Sequence, residues 1–520
     1  MSPARYLPHA LIFFSSACIM VVELVAGRLV SRHLGSSLYT WTSIIGVVLA
    51  GMSVGNMLGG RLADRYAPRR IVGWLFIIAS AACLLTLYLN AIFSDESPFT
   101  GWHWPARVFS TMLVIFILPA LALGTISPVT AKMALEHSTT LGRTIGSVYA
   151  WGAVGSIVGT FATGFWLIAA LGVQGVVLVI VAGLAVVGLL LGPRRWVHAV
   201  WLLVVLAAGV LFQMRSAGAV ELAVSLGLRD DMTATEFSRD SNYQLVKVYR
   251  KQVTDPLLGT RNLRVLALDY LIHGYVDPRD PTYLHYDYER VYRALSLELF
   301  GKRRQIRAFF IGGGSYTFPR WVLSRWPGSA VDVAEIDPLV LTANHLALGL
   351  RRDTPIRTFL LDARNAVDDL PADRRYDLIY GDAFNDLSVP QHLVTLSFTQ
   401  TLGRHLAPGG AYLINVIDKF GSGLFLCAVT NTLARVFPHV LIFTSGQYGV
   451  TGGRDTFVVV GSRVAVDISN WEAGHTSGRP GSALSRDAMD TLRRQCGGRV
   501  LTDDDAPVEN LLLPVIRSRR

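Results

Sequence analysis

The stretch RAFFIGGGSYTFPR, residues 307 to 320, runs from an apolar tetrad straight into three consecutive glycines. A short apolar run closed by glycines reads as a buried strand. The glycines then let backbone approach a ligand with no Cβ in the way. Outward from this point similar runs recur as AVDVAEI, IRTFLL, YDLIYGDA, GAYLINVI, HVLIFTS and DTFVVVGS. Helical stretches at 286–300, 318–326, 338–348, 394–406 and 424–436 precede or separate most of them. Strand and helix in alternation predict a doubly wound, mostly parallel α/β sheet that binds ligands at the carboxyl ends of its strands. The last two runs are joined only by GQYGVTGGR, too short for a crossover helix, so they are expected to pair antiparallel.

Four strand ends carry glycines or acids that such a sheet would bring to one edge. Gly312, Gly313 and Gly314 close the first strand. AEIDP closes the second, with Glu335 placed to accept two ribose hydroxyls. LDAR closes the third, where Asp362, followed by Ala363, can receive an adenine amino group. YGDAFND closes the fourth and brings Asp382, with Asp386 beyond it, over a reaction centre. Any one of these acids is equally well read as a helix cap. Four in order at this spacing predict nucleoside binding. GGGSYTF is neither a P-loop nor a GxGxxG fingerprint, since Thr317 stands where the third glycine belongs. No HExxH or Ser/His/Asp arrangement is visible, and no metal site is expected.

The first 214 residues have a different texture and carry most of the apolar excess of a chain of 520 residues that is 51% hydrophobic and 17% charged. Segments near 10–31, 39–60, 71–93, 107–131, 145–170, 173–192 and 196–214 each reach the roughly 20 apolar residues needed to cross a bilayer. The expected organisation is a membrane domain over 1–215 with about seven helices and a linker over 216–240. A β-rich entry region and helix over 241–300, a Rossmann-like domain over 301–466 and an irregular tail over 467–520 follow. The net charge of +10 resides largely in arginines between apolar segments, which points to a lipid bilayer and topology signals rather than to nucleic acid.

GRLADR within residues 60–65 resembles the cytoplasmic loop motif of major facilitator transporters, although a basic loop that fixes orientation explains the same arginines. Glu23, a carboxylate near mid-span, is a functional candidate. Basic residues on the side of the N-terminus make that side cytoplasmic, and an odd number of spans would then export the C-terminal half. An extra pass could come from AVELAVSLGL or from a break near Pro119 and Pro128. Cys18, Cys83, Cys427 and Cys496 are scattered, and indicate neither a zinc site nor a disulfide framework.

A parallel sheet ending in an antiparallel hairpin resembles the class I S-adenosylmethionine-dependent transferase fold. More specifically, LALDYLIHGYV, YLHYDYERVY, FFIGGGSYTFPR, VDVAEIDPLV, LLDAR and YDLIYGDAFNDLSVPQHLVT make residues 240–460 resemble the spermidine synthase family, the polyamine aminopropyltransferases. The whole chain resembles its bacterial membrane-fused members, which implies a multi-pass protein of the bacterial inner membrane. The resemblance implies transfer of a propylamine group from decarboxylated S-adenosylmethionine, a co-substrate rather than a tightly bound cofactor, to a diamine such as putrescine. Methylthioadenosine would leave, and a homodimer is compatible with this reading. By position, Gly312 to Gly314, Glu335 and Asp362 would hold the nucleoside, Asp382 matches the proton acceptor, and Tyr286 a substrate-lining tyrosine.

Three positions depart from the family pattern. His273 stands where a glutamine is usual, and the usual second acid falls at Asn385, leaving Asp386 to anchor the distal ammonium of a diamine. Ser315 stands where an aspartate usually binds the aminopropyl ammonium. Either the acid has moved elsewhere, or discrimination against intact S-adenosylmethionine is loosened. Two other readings therefore stay open: a transferase that uses intact S-adenosylmethionine, and a non-catalytic polyamine or nucleoside sensor coupled to the membrane helices.

Overall fold

The computed structural model describes residues 6–95, 98–99, 101–136, 140–214, 216–230, 234–255, 259–384, 389–445, 453–467 and 481–517. The chain divides into two compact units, Met1–Thr233 with Asp240–Leu245, and Ala234–Arg239 with Val246–Arg520.

The first unit is helical: α1 (Leu7–Leu34), α2 (Leu38–Arg65), α3 (Pro68–Asp95), α4 (Trp104–Leu135), α5 (Leu141–Ala162), α6 (Ile168–Leu191), α7 (Arg195–Gln213) and α8 (Ala217–Ser225). By length and composition, six helices among the described residues can cross a membrane, and one of these spans 51 residues, Leu141–Leu191. Straight, it would measure about 76 Å, more than twice the ~30 Å of a hydrocarbon core. It is not straight. A π turn at Thr163–Leu167 follows α5, and Gly172 leaves helical geometry at φ 70° and ψ 165°. The backbone therefore turns there, and α5 packs along α1 whereas α6 packs along α3.

Close packing follows from small residues. Gly51, Gly55 and Gly59 lie on the face of α2 that meets α4, where a Cβ on Gly55 or Gly59 would overlap the carbonyls of Leu121 and Thr125. Helix α4 continues through Pro119 and Pro128, and α8 spans nine residues, so neither proposed source of an extra pass supplies one. Arg32, near the end of α1, pairs with Asp230 at 2.8 Å and Asp240 at 2.9 Å. The chain that follows α7 thus returns to the end of the bundle at which α1 finishes. Glu23 sits half-buried on α1.

The second unit opens with an antiparallel four-stranded sheet of β1 (Thr235–Asp240), β2 (Leu245–Asp255), β3 (Gly259–Leu268) and β4 (Leu271–Val276), in that order. After α9 (Asp287–Phe300) comes the main sheet. Its elements in chain order are β5 (Arg307–Ile311), α10 (Thr317–Arg325), β6 (Ala330–Ala334), α11 (Pro338–Leu346), β7 (Arg357–Phe359), α12 (Ala363–Asp368), β8 (Tyr376–Gly381), α13 (Leu396–His405), β9 (Leu406–Lys419), α14 (Leu424–Leu433), β10 (His439–Thr444), β11 (Arg454–Ser462), β12 (Ser482–Ala483) and α15 (Arg486–Gln495). The spatial order is β12-β10-β11-β9-β8-β5-β6-β7.

Strands β7, β6, β5, β8 and β9 run parallel, and β11 pairs antiparallel with both β9 and β10, as the short GQYGVTGGR connection requires. This is the α/β transferase-like fold read from the sequence. Buried aromatic and aliphatic side chains cover both sheet faces, with Phe309, Ile379 and Phe457 on one and Phe310, Leu378 and Val458 on the other.

Two expectations are corrected here. Cys427 and Cys496 form a disulfide across 69 residues, their Cα atoms 6.0 Å apart. Sequence spacing could not reveal it, because α14 and the end of α15 meet only in the folded chain. The stretch after 467 is not irregular throughout. Strand β12 pairs with β10, α15 packs on α14, and Leu484, Leu492, Leu501, Leu512 and Val515 are buried in the sheet's core.

Candidate functional site

The opening glycine stretch makes a tight turn from β5 into α10. Gly312 has φ +95°, and a Cβ there would come within 2.5 Å of the Asp382 carbonyl oxygen, so the ends of β5 and β8 can meet only at glycine. Glu335, at the end of β6, accepts hydrogen bonds from the amides of Gly313 (3.0 Å) and Gly314 (3.2 Å) on one oxygen, and from Asp337 (2.9 Å) on the other. Buried Asn344 donates to the Gly314 carbonyl, and Arg320 donates to that of Ser315. The loop is thus held by its carboxylate at one side and by two donors at the other.

Ser315 is buried, its hydroxyl 2.6 Å from that of Thr317, which donates in turn to the Tyr275 carbonyl. Asp362 caps α12 by accepting from the Arg364 amide at 2.8 Å, and its second oxygen lies 2.8 Å from His392 Nε2.

A cavity of about 250 Å³ opens along these strand ends. Asp382 stands in its middle. One carboxylate oxygen accepts from Tyr288 Oη and the other from Asn415 Nδ2, each at 2.9 Å. Burial pushes the Asp382 carboxyl up to about 6, although both hydrogen bonds oppose the rise. Glu289, in the first turn of α9, also lines the cavity, and burial reinforced by the Asp382 charge pushes it up to about 8. Its partner is the Tyr286 amide at 3.3 Å. Tyr286 donates to the Ile272 carbonyl, and burial pushes His273 down to about 4, leaving a neutral imidazole on the wall.

The cavity brings together Gly312, Gly313, Gly314, Ser315, His273, Tyr286 and Asp382. Glu335, Asp362 and Ala363 are not among its lining residues and lie on the β6 and β7 side of it. Asp386 falls outside the described residues. Sequence reasoning missed Tyr288, Glu289, Asn415 and Arg454, all of which line the same space. Asn415 alone carried a signal, as an amide in an otherwise apolar strand.

No family model matches the chain. A probable polyamine aminopropyl transferase of Bifidobacterium longum is 24% identical over 220 residues, which make up 39% of this chain and 48% of that protein. Polyamine aminopropyltransferase 2 of Streptomyces coelicolor is 26% identical over 440 residues, 79% of this chain and 74% of that protein. The chain thus spans about half the length of the first relative and about three quarters of the second. Among solved structures, a probable spermidine synthase from Corynebacterium glutamicum aligns with 52% of this chain and 98% of its own, at a TM-score of 0.45 and 19% identity. The chain is similar to polyamine aminopropyltransferases over part of its length and, for the Streptomyces protein, over most of it.

Proposed function

We propose that the chain is a membrane-anchored aminopropyltransferase that moves a propylamine group from decarboxylated S-adenosylmethionine to an amine. The observation that carries this reading is Asp382, a half-buried carboxylate poised near pH 6 between the glycine loop and β9, with both oxygens oriented by Tyr288 and Asn415. The acceptor amine attacks the propyl carbon beside the sulfonium. A nitrogen–carbon bond forms, the carbon–sulfur bond breaks with its electrons on sulfur, and methylthioadenosine leaves. The surplus proton passes to Asp382, whose raised pKa suits the transfer. Glu335 and Asp362 hold the ribose and adenine, and Gly312 to Gly314 let the donor approach the backbone.

The test is turnover by the full chain in detergent, with decarboxylated and intact S-adenosylmethionine offered separately. The expected result is methylthioadenosine released together with an aminopropylated amine, from the decarboxylated donor only. A methylated or aminocarboxypropylated amine from the intact donor would replace this reading with the second transferase. Nucleoside binding without turnover of either donor would favour a sensor.

The helical unit anchors the protein in a bacterial inner membrane. The break at Gly172 makes seven crossings of six apolar helices, and Arg61, Arg65, Arg69, Arg70, Lys132, Arg143, Arg194 and Arg195 all fall on the side of the N-terminus. The soluble unit then faces outward, where a disulfide such as Cys427–Cys496 persists. Alkaline phosphatase fused after Arg520 is expected to be active, and inactive when fused after Arg70. An inactive C-terminal fusion would return the soluble unit to the cytoplasm and leave the transfer chemistry untouched.

A further inference from the structure

Strand order divides the cavity into two ends. The nucleoside residues belong to β5, β6 and β7, and Asp382 closes β8 beside them. Whatever the donor alkylates must therefore lie beyond Asp382, against β9 and β11. There the lining residues are Asn415, Ile417, Thr456 and Arg454. These share a face, because Thr456 is in register with Ile417 and side chains two residues apart along a strand point the same way. The same register sets Arg454 directly opposite Lys419, two residues beyond Ile417 on that face.

Two like charges opposite one another in an antiparallel ladder repel. No ion pair to either side chain is present among the described residues. The inner end of this path has the opposite character. Asp382 is half-buried and Glu289 buried, and Asn415 is 3% exposed with its Oδ1 unmatched by any donor. That end is built to accept N–H groups, and the outer end to receive a negative charge.

Resting on the transfer reading above, we infer that the acceptor is an amine whose far end is anionic, held by Arg454 and Lys419, rather than a diamine. The nitrogen docks between Asp382, Glu289 and the free Asn415 oxygen. The apolar chain passes Ile417 and the Thr456 methyl. Asn415 and Lys419 lie four residues apart, about 13 Å along the strand, and the long stems of Lys419 and Arg454 can reach back over that gap toward the tail of a short ω-amino acid. A diamine would bring its second ammonium against two cations.

The test compares putrescine with 4-aminobutyrate, which has a similar span and a carboxylate in place of one ammonium. Binding of each to the full chain is measured by titration in saturating methylthioadenosine, and turnover is followed with decarboxylated S-adenosylmethionine. The wild type is expected to bind 4-aminobutyrate at least ~10-fold more tightly than putrescine, Arg454→Gln to narrow that ratio, and Arg454→Glu to invert it. Equal or tighter binding of putrescine by the wild type, or of neither probe, overturns the inference, as does a ratio unmoved in Arg454→Glu. Binding that follows this pattern without any aminopropyl transfer would leave the inference standing and remove the proposed reaction instead.

Discussion

The carboxylates at the strand ends differ from those lining the cavity in what satisfies them. On the donor side Glu335 has three backbone amides and Asp362 has an amide and an imidazole, so each is satisfied before any ligand arrives. In the centre Asp382 is held by two side-chain donors and Glu289 by one backbone amide, and desolvation pushes their pKa values up, to about 6 and about 8. Glu335 therefore orders the glycine loop, and Asp362 the start of α12, before any ligand arrives. The reaction side holds carboxylates whose charge is costly until a cation or a transferred proton arrives. Substitutions at the two ends should separate binding from turnover.

The largest expected effect is at the centre. Asp382→Asn preserves shape and keeps an acceptor for Asn415, yet it cannot take a proton. Turnover is expected to fall roughly 10²–10⁴-fold with methylthioadenosine affinity nearly unchanged. Full activity in the variant would remove Asp382 from the mechanism and erase the contrast between the two ends.

On the donor side Glu335→Gln reverses that pattern. A glutamine can accept from the glycine amides with only one oxygen, and its amine group meets the Asp337 amide where a carboxylate oxygen stood. Binding of methylthioadenosine and of both forms of the donor should weaken by about 1.5–3 kcal/mol. Unchanged methylthioadenosine affinity in titration would detach Glu335 from the nucleoside.

The pH profile sharpens the central assignment. Asp382 must be ionised to accept a proton, so kcat/KM should fall as pH drops through about 6. Tyr288 donates to the ionised form and lowers the pKa. In Tyr288→Phe the acid limb should therefore move to higher pH, with about a tenfold loss of activity just below neutrality that recovers at alkaline pH. A loss that is uniform with pH would mean that Tyr288 acts on packing alone.

The placement of the strand-end residues was legible in the sequence because each directly follows its own strand. GGGS, AEIDP, LDAR and YGDA are local signals, and the sheet brings them to one edge by construction. The acceptor side was not legible, since Tyr288 and Glu289 arrive from α9, Asn415 from β9 and Arg454 from the far strand of the closing hairpin. Arg454 meets Lys419 only through a register that pairs residues 35 positions apart. Cys427 and Cys496 were hidden for the same reason. In the helical unit, hydropathy located the apolar segments within a few residues, because length and composition decide that alone. The sequence also separated 145–170 from 173–192, and the non-helical backbone of Gly172 falls between them.

The smallest effect tests the residue after the glycines. Ser315 lines the cavity, but its hydroxyl is committed to Thr317, and it packs so tightly on Gly274 that a Cβ there would overlap it. An aspartate would give up the Thr317 contact and has to extend its carboxylate toward the cavity. There it would meet the ammonium of the decarboxylated donor or repel the carboxylate of the intact one. The gain is offset by the lost hydrogen bond, so Ser315→Asp should favour decarboxylated over intact S-adenosylmethionine by only about three- to tenfold in competition titrations. Glu289 is another acid lining the same cavity, and its substitution separates the two outcomes. If Ser315→Asp leaves the ratio unchanged while Glu289→Gln lowers the affinity for the decarboxylated donor alone, the missing aspartate has been replaced from α9. If Ser315→Asp shifts the ratio and Glu289→Gln does not, the serine itself sets how loosely the two donors are told apart.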